Sequence, residues 1–412
     1  MPKLGNTTRL VHSDRQRGVE HGAVRKPVHN SVQYGFDKTE DLIASFQGKR
    51  KGAFHYSRNG TPTASALEAK INMLEDGIGT ITFSTGMAAI AATFTSLLMS
   101  GDHLIASKNL FANTANLLNT IKGFGIEVSL VDASDVRHVA DQLKSNTRMV
   151  FVETISNPAT EVPDLTNIGA YCQEKGLVYV VDNTITSPAL FRPKDVGASL
   201  SINSLTKIIA GHGAALGGSV TDTGCYDWSD YPNIDATNRG DGPATWGLTQ
   251  IRRKGLRDFG ATLSPEQANL IALGMETLEM RIRHSSASAH HLAEFLSTQE
   301  GVADVRYPGL AGHPQHDLAN AHFASSAWLL SFEFSDLEKM INVLDALELP
   351  VRATGLGDSR TLIIPVAMTI YDDLGPETRA DMNIPDGLVR VSVGLEDIED
   401  LIGDFKQAFA KS

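Results

Sequence analysis

The chain has 412 residues, 42% of them hydrophobic, which is enough for a large core and for about two to three domains. A formal net charge of -12 argues against a broad nucleic-acid surface, because neutralising phosphates needs clustered Lys and Arg. Cys172 and Cys225 are too few for a disulfide framework, no apolar run reaches the eighteen residues of a membrane span, and the first residues lack a signal-peptide core. A cytoplasmic protein with no nucleic-acid and no membrane partner is expected.

In chain order, residues 1–60 are rich in His, Arg, Gly and Asn without periodicity and read as an extended arm. A helical pattern follows over 64–76, then a strand "GTITF" at 79–83, the turn "STGM" at 84–87 and a buried apolar helix, "MAAIAATFTSLLM". Strand and helix keep alternating through "HLIAS", a helix over 113–125, "IEVSLV", a helix over 135–145, "RMVFVE", a helix over 165–176 and "LVYVVD". Apolar runs bounded by turn residues suit strands buried on both faces, so the predicted fold class is α/β with a mostly parallel sheet. After about residue 260 the texture changes to a long helical stretch over 264–299, a strand "SSAWLLSFEF" and the closing "GLVRVSVGLEDIEDLIGDFKQAFA". The expected division is an arm over 1–60, a large domain over 61–260 and a smaller α+β domain over 261–412.

Ligands of open α/β sheets gather at the carboxyl ends of the strands. "STGM" joins a strand to a helix start, where free backbone N–H groups favour a phosphate, although alone it also reads as an ordinary capped helix. Asp182 closes the otherwise uncharged "LVYVVD", and Asn157 follows a strand in "ETISNP"; each also reads as a turn or cap residue. Lys207, in "NSLTKIIAGHG", sits among small hydroxyls and isoleucines. A surface lysine is the plain alternative, but a desolvated amine fits that setting better. Together a phosphate cradle, a carboxylate, an amide and a neutral amine are what pyridoxal 5'-phosphate requires: a Schiff-base lysine, a partner for the ring nitrogen and a phosphate site. His313 and His316 in "HPQH" have Pro314 between them and no third ligand, so no metal is expected, and His290 and His291 read as surface residues. No G-x-G-x-x-G follows a strand and no P-loop is present, which sets aside a nicotinamide dehydrogenase and an NTPase.

The chain resembles the pyridoxal-phosphate enzymes of sulfur amino-acid metabolism, which include cystathionine γ-synthase, cystathionine γ- and β-lyases, methionine γ-lyase and the O-acylhomoserine sulfhydrylases. The motifs that carry the resemblance are "YSRNGTPT", "STGMAAI", "ETISNP", "VVDNT", "SLTK", "YPGLAGHPQH" and "VRVSVGLED", in that order over nearly the whole length. It implies a fold-type I architecture with Lys207 as Schiff-base lysine and proton shuttle, Asp182 at the pyridine nitrogen and Asn157 at the ring hydroxyl. It also implies that Gly86, Met87, Ser204 and Thr206 hold the phosphate, and that Arg390 clamps the substrate carboxylate. Tyr56 and Arg58 match a pair that reaches the neighbouring subunit's phosphate, implying an active site shared across a dimer, in a homotetramer of two dimers.

Two departures from the pattern shape the expected function. Phe111 in "LFANT" stands where the family has a ring-stacking tyrosine, and Asn113 where methionine γ-lyases have a cysteine. Without a phenol to protonate it, a weakly basic oxygen leaving group is favoured over a thiolate. In "GLGDSRTLIIPVAMTI" Gly355 replaces a serine, Arg360 a glutamate, and Ile364 and Ile370 two histidines, so the specificity of better-known members does not transfer. The expectation is γ-elimination from an O-linked homoserine derivative such as canavanine or an O-acylhomoserine. The alternatives are a cystathionine γ-synthase or O-acylhomoserine sulfhydrylase, a methionine or cystathionine γ-lyase, and a non-catalytic binding protein that reuses the fold.

Overall fold

The computed structural model describes residues 4–50, 52–240 and 242–412; residues 1–3 and Lys51 of the expected arm lie outside the described residues. Seven strands form the larger sheet: β1 (Gly79–Phe83), β2 (His103–Ser107), β3 (Glu127–Val131), β4 (Thr147–Glu153), β5 (Val178–Asp182), β6 (Leu200–Asn203) and β7 (Gly218–Asp222). Their order is β1-β7-β6-β5-β4-β2-β3, and β7 alone runs against its neighbours. All five residues of β5 are buried, and alternate side chains serve opposite faces: Tyr179 and Val181 join one core, Val178 and Val180 the other. Helices cover both faces, which is why the central β4 and β5 carry the unbroken apolar runs 149–152 and 178–181.

The helix Pro62–Glu75 begins where Thr61 accepts the Ala64 N–H at 3.1 Å and Pro62 takes the first helical position, where its missing N–H matters least. The helix expected over 135–145 spans only Val136–Asp141; the Thr147 hydroxyl accepts the Lys144 N–H at 2.8 Å and draws the chain into β4.

A smaller sheet of β8 (Val302–Arg306), β9 (Leu329–Phe334), β10 (Val351–Arg352), β11 (Leu362–Pro365) and β12 (Leu388–Ser392) has the order β10-β11-β12-β9-β8 and is antiparallel except for β10 beside β11. The larger and smaller sheets correspond to the fold-type I α/β architecture expected. The change from one core to the other does not fall at a loop. The helix Pro265–Met275 packs on the larger sheet's core through Ala268, Ile271 and Met275. The helix Leu278–Leu296 places Leu278 and Ile282 in that core and Ala289, Leu292 and Leu296 in the smaller sheet's core.

The first 60 residues are less extended than their composition suggests. They contain the helices Asn6–His12 and Thr39–Phe46, and Leu10 is fully buried in the larger core. Asp14 lies 3.4 Å from the buried Lys70 amine, and Arg25 pairs with Glu276 at 2.7 Å, so burial and charge pairing dock the beginning of the arm.

Candidate active site

A cavity of about 190 Å³ opens at the carboxyl ends of β4, β5 and β6, lined by Gly86, Met87, Phe111, Asn157, Asp182, Ser204, Thr206 and Lys207 among others. Eight of the residues singled out from the sequence thus meet in one place. The cradle is built by close backbone packing. Thr85 caps the helix Gly86–Leu97, accepting the Ala88 N–H at 3.0 Å, and leaves the first amides of that helix facing the cavity. A β-carbon on Gly86 would come within 2.7 Å of Ser204, and one on Gly218 within 2.1 Å of the Thr85 carbonyl, so both glycines are needed for the helix start to reach β6 and β7. Ser204 donates its N–H to Thr184 Oγ1 at 2.8 Å, while Thr206 Oγ1 and the Gly217 backbone exchange two hydrogen bonds at 3.0 and 3.2 Å.

Lys207 is partly buried, and its amine has no hydrogen bond or ion pair among the described residues. Burial, and then the charge of Arg390, lower it to about 8, with Asp182 opposing. The turn behind it is fixed by Arg281, whose guanidinium donates to the carbonyls of Ile208, Ile209 and Gly274 at 2.7, 3.1 and 2.7 Å. A β-carbon on Gly211 would meet that guanidinium at 1.7 Å.

Asp182 accepts the Thr184 N–H at 3.0 Å and its hydroxyl at 2.5 Å; burial pushes its carboxyl up to about 6, against those two bonds and the charge of Lys207. Directly opposite in the β4–β5 register stands Glu153, a residue the sequence reading did not single out. Its Oε1 accepts the Phe111 N–H at 2.7 Å. Burial and the neighbouring Asp182 charge hold it well above the usual carboxylate range, which favours the proton on Glu153 and the charge on Asp182. The signal is present in the sequence: "RMVFVE", like "LVYVVD", is an apolar run ending in an acid.

Arg390, 1% exposed in β12, sits behind Asn157 rather than on the cavity lining. It donates to Asn157 Oδ1 at 3.3 Å and to the Thr354 and Gly355 carbonyls at 2.9 and 3.2 Å, and its Nε has no partner among the described residues. Burial lowers it to about 10. Tyr371, also absent from the residues expected at the site, is fully buried and donates its hydroxyl to the Asn157 carbonyl at 2.6 Å. Ile364 and Ile370 pack around it as plain core residues.

Tyr56 and Arg58 are not brought to this cavity by their own chain: Tyr56 is 39% exposed, and Arg58 stacks over its ring at 5.6 Å and donates to the Arg257 carbonyl at 2.6 Å. Asn113 is exposed and also lies off the lining. His313 accepts the Gln315 N–H at 3.2 Å, and His290 and His291 lie 3.4 and 3.5 Å from Glu294.

The cavity suits pyridoxal phosphate on its own chemistry. It offers an unpartnered amine of lowered basicity, a buried anion at the neighbouring strand end, an aromatic wall at Phe111 and a helix start for the phosphate.

Comparison with known proteins points the same way. The family model described as "Cys/Met metabolism PLP-dependent enzyme" matches residues 7–410. An L-methionine gamma-lyase from Treponema denticola is 33% identical over 416 residues, covering 100% of this chain and 98% of that protein. An O-succinylhomoserine sulfhydrylase from Pseudomonas aeruginosa is 35% identical, covering 96% and 93%. Among solved structures, a putative O-acetylhomoserine (thiol)-lyase from Campylobacter jejuni bearing N'-pyridoxyl-lysine-5'-monophosphate superposes with a TM-score of 0.91 at 30% identity, covering 99% of this chain and all of that one.

Proposed function

The chain belongs to the Cys/Met metabolism PLP-dependent enzyme family, and from that premise we propose that it is a γ-lyase acting on amino acids with an oxygen-linked substituent at Cγ. Pyridoxal phosphate is its cofactor, and elimination or replacement at Cγ is the reaction class that the γ-lyase and sulfhydrylase relatives support; when bound, that cofactor supplies an aldehyde for the amine and a ring that draws electrons from Cα and Cβ.

In this reading Lys207 is neutral for a useful fraction of molecules near neutral pH and carries a proton first from Cα and then from Cβ. Asp182 holds a negative charge against the ring nitrogen, and the protonated Glu153 beside it leaves that charge undivided while fixing the backbone of Phe111. Gly86, Met87, Ser204 and Thr206 receive the phosphate, Asn157 orients the ring hydroxyl, and Arg390, hydrogen-bonded to Asn157 behind the lining, is the cation for the substrate carboxylate. Tyr56 and Arg58, exposed on the arm, complete the phosphate site of a neighbouring copy in a homo-oligomer.

The observation that carries the choice of leaving group is Phe111. No tyrosine of this chain lines the cavity among the described residues, and the nearby Tyr371 hydroxyl is committed to the Asn157 carbonyl. With the neighbouring copy's Tyr56 assigned to the phosphate, a departing thiolate would have no phenolic proton donor from its own chain, whereas a weakly basic oxygen anion needs less help. The test is incubation with canavanine, O-acetylhomoserine, O-succinylhomoserine, cystathionine and methionine, with the products identified. Release of 2-oxobutyrate or homoserine without added thiol from the oxygen-linked substrates is expected. Turnover confined to methionine and cystathionine rejects the leaving-group reading, and a thioether or homocysteine formed only with added thiol makes the enzyme a transferase.

A further inference from the structure

We infer that Asp358 selects substrates whose γ-substituent ends in a cation such as a guanidinium or an ammonium, an inference that rests on the reading of the cavity as a site of departure from Cγ. A recess of about 620 Å³ leads out from the cavity and shares Thr206, Lys207, Leu216 and Leu356 with it. Lys207 and Asp358 are the only charged side chains on its lining among the described residues. With the amine of Lys207 turned to Cα and Cβ, Asp358 is the charged group that the recess presents to whatever extends beyond Cγ.

The position of that carboxylate is closely defined. Gly357, with φ +68°, lets the loop press onto the backbone of Lys207 and Ile208, where a β-carbon would come within 2.4 Å of the Ile208 nitrogen. Gly213, with φ +61°, does the same for the side chain, since a β-carbon there would meet Asp358 Oδ2 at 2.2 Å. The side chain is only 13% exposed. Its three hydrogen bonds, from the Ser359 hydroxyl at 3.2 Å, the Arg360 N–H at 3.1 Å and Arg360 Nη1 at 2.8 Å, all fall on Oδ1. Oδ2, packed against the recess-lining Gly213, therefore has no hydrogen bond among the described residues and is left as an acceptor. Arg360 is 63% exposed and does not line the recess, so it steadies the carboxylate from the solvent side without covering it. A cationic head matches the remaining oxygen with a charge-assisted hydrogen bond, while an anionic head would face a like charge that Arg360 offsets only from the solvent side.

Calorimetric titration of the holoenzyme with L-arginine and L-citrulline tests this, because the two amino acids are nearly the same shape, differ in the distal charge and carry no oxygen-linked leaving group. Wild type is expected to bind arginine at least about tenfold more tightly than citrulline. Asp358→Asn should bring that ratio to within about twofold of unity, whereas Arg360→Gln should leave it at or above the wild-type value. Equal binding of the two by wild type, an undiminished ratio in Asp358→Asn, or a ratio abolished by Arg360→Gln overturns the inference. The wild-type ratio is decisive by itself against the inference, so the test survives a variant that does not fold. Failure to eliminate any oxygen-linked group sinks the preceding functional reading and leaves the arginine-to-citrulline ratio readable.

Discussion

The two walls of the cavity are held by different means. On the side of the larger sheet, Glu153, Asp182 and the Ser204–Lys207 turn are placed by strand register and by hydrogen bonds between neighbouring strand ends. On the opposite side, Gly355, Leu356 and Asp358 belong to a loop fixed by contacts between segments far apart in sequence: Arg390 to the Thr354 and Gly355 carbonyls, the Gly357 N–H to Ser392 Oγ at 2.9 Å, and glycine contacts to Lys207 and Gly213. Groups that every reaction of the family requires sit on the wall with little freedom. Groups that face the variable end of a substrate sit on the wall that can be rebuilt without disturbing the sheet.

The sharpest way to break this comparison is to remove the amine. Lys207→Ala should lower turnover by at least about 10³-fold and abolish the visible absorbance of the bound coenzyme; retained activity would remove the sheet-side wall from the chemistry altogether. Next comes the acid pair. Asp182→Asn should reduce kcat by about 10²-fold or more, whereas Glu153→Gln, which replaces an already neutral group, should cost less than about 10-fold. Equal losses in steady-state assays would contradict the assignment of the charge to Asp182. Phe111→Tyr should raise kcat/KM for thioether substrates relative to oxygen-linked ones by about 10-fold, and equal changes for both would separate the aromatic wall from leaving-group choice.

The smallest effect lies behind the sheet-side wall and concerns stability. Glu75 is fully buried, accepting from Ser201 Oγ at 2.8 Å and Asn203 Nδ2 at 2.6 Å, and burial pushes it up to about 7. The folded chain therefore holds this proton more tightly than the unfolded one, so stability falls as pH rises from about 4.5 to about 7 and stays lower above. Glu75→Gln should raise the apparent Tm by about 2–4 °C at pH 8 and by less at pH 5. A gain independent of pH would assign the effect to packing.

The sheet-side wall is legible in the sequence because period, strand ends and small-residue turns are local signals. Asp182, Asn157, Lys207 and the "STGM" turn are all reached that way. Glu153 obeys the same strand-end rule, but the motif that follows it centres on Asn157, and nothing local says that its backbone partner is Phe111. Tyr371 and Asp358 have no local signal: each acquires its place from contacts to residues more than a hundred positions away. The docking of the arm is equally hidden, because only Leu10 of the adjacent pair Leu10 and Val11 is buried, and one buried side chain leaves no periodicity.

Arg281 carries one more consequence. By tying the Ile208 and Ile209 carbonyls of the turn after Lys207 to the Gly274 carbonyl of the helix packed on it, it gives the attachment point its final shape before anything is attached. Loading the enzyme is then docking into a finished socket, with little conformational entropy left to lose, and empty and loaded molecules should present the same backbone to their surroundings over residues 208–211.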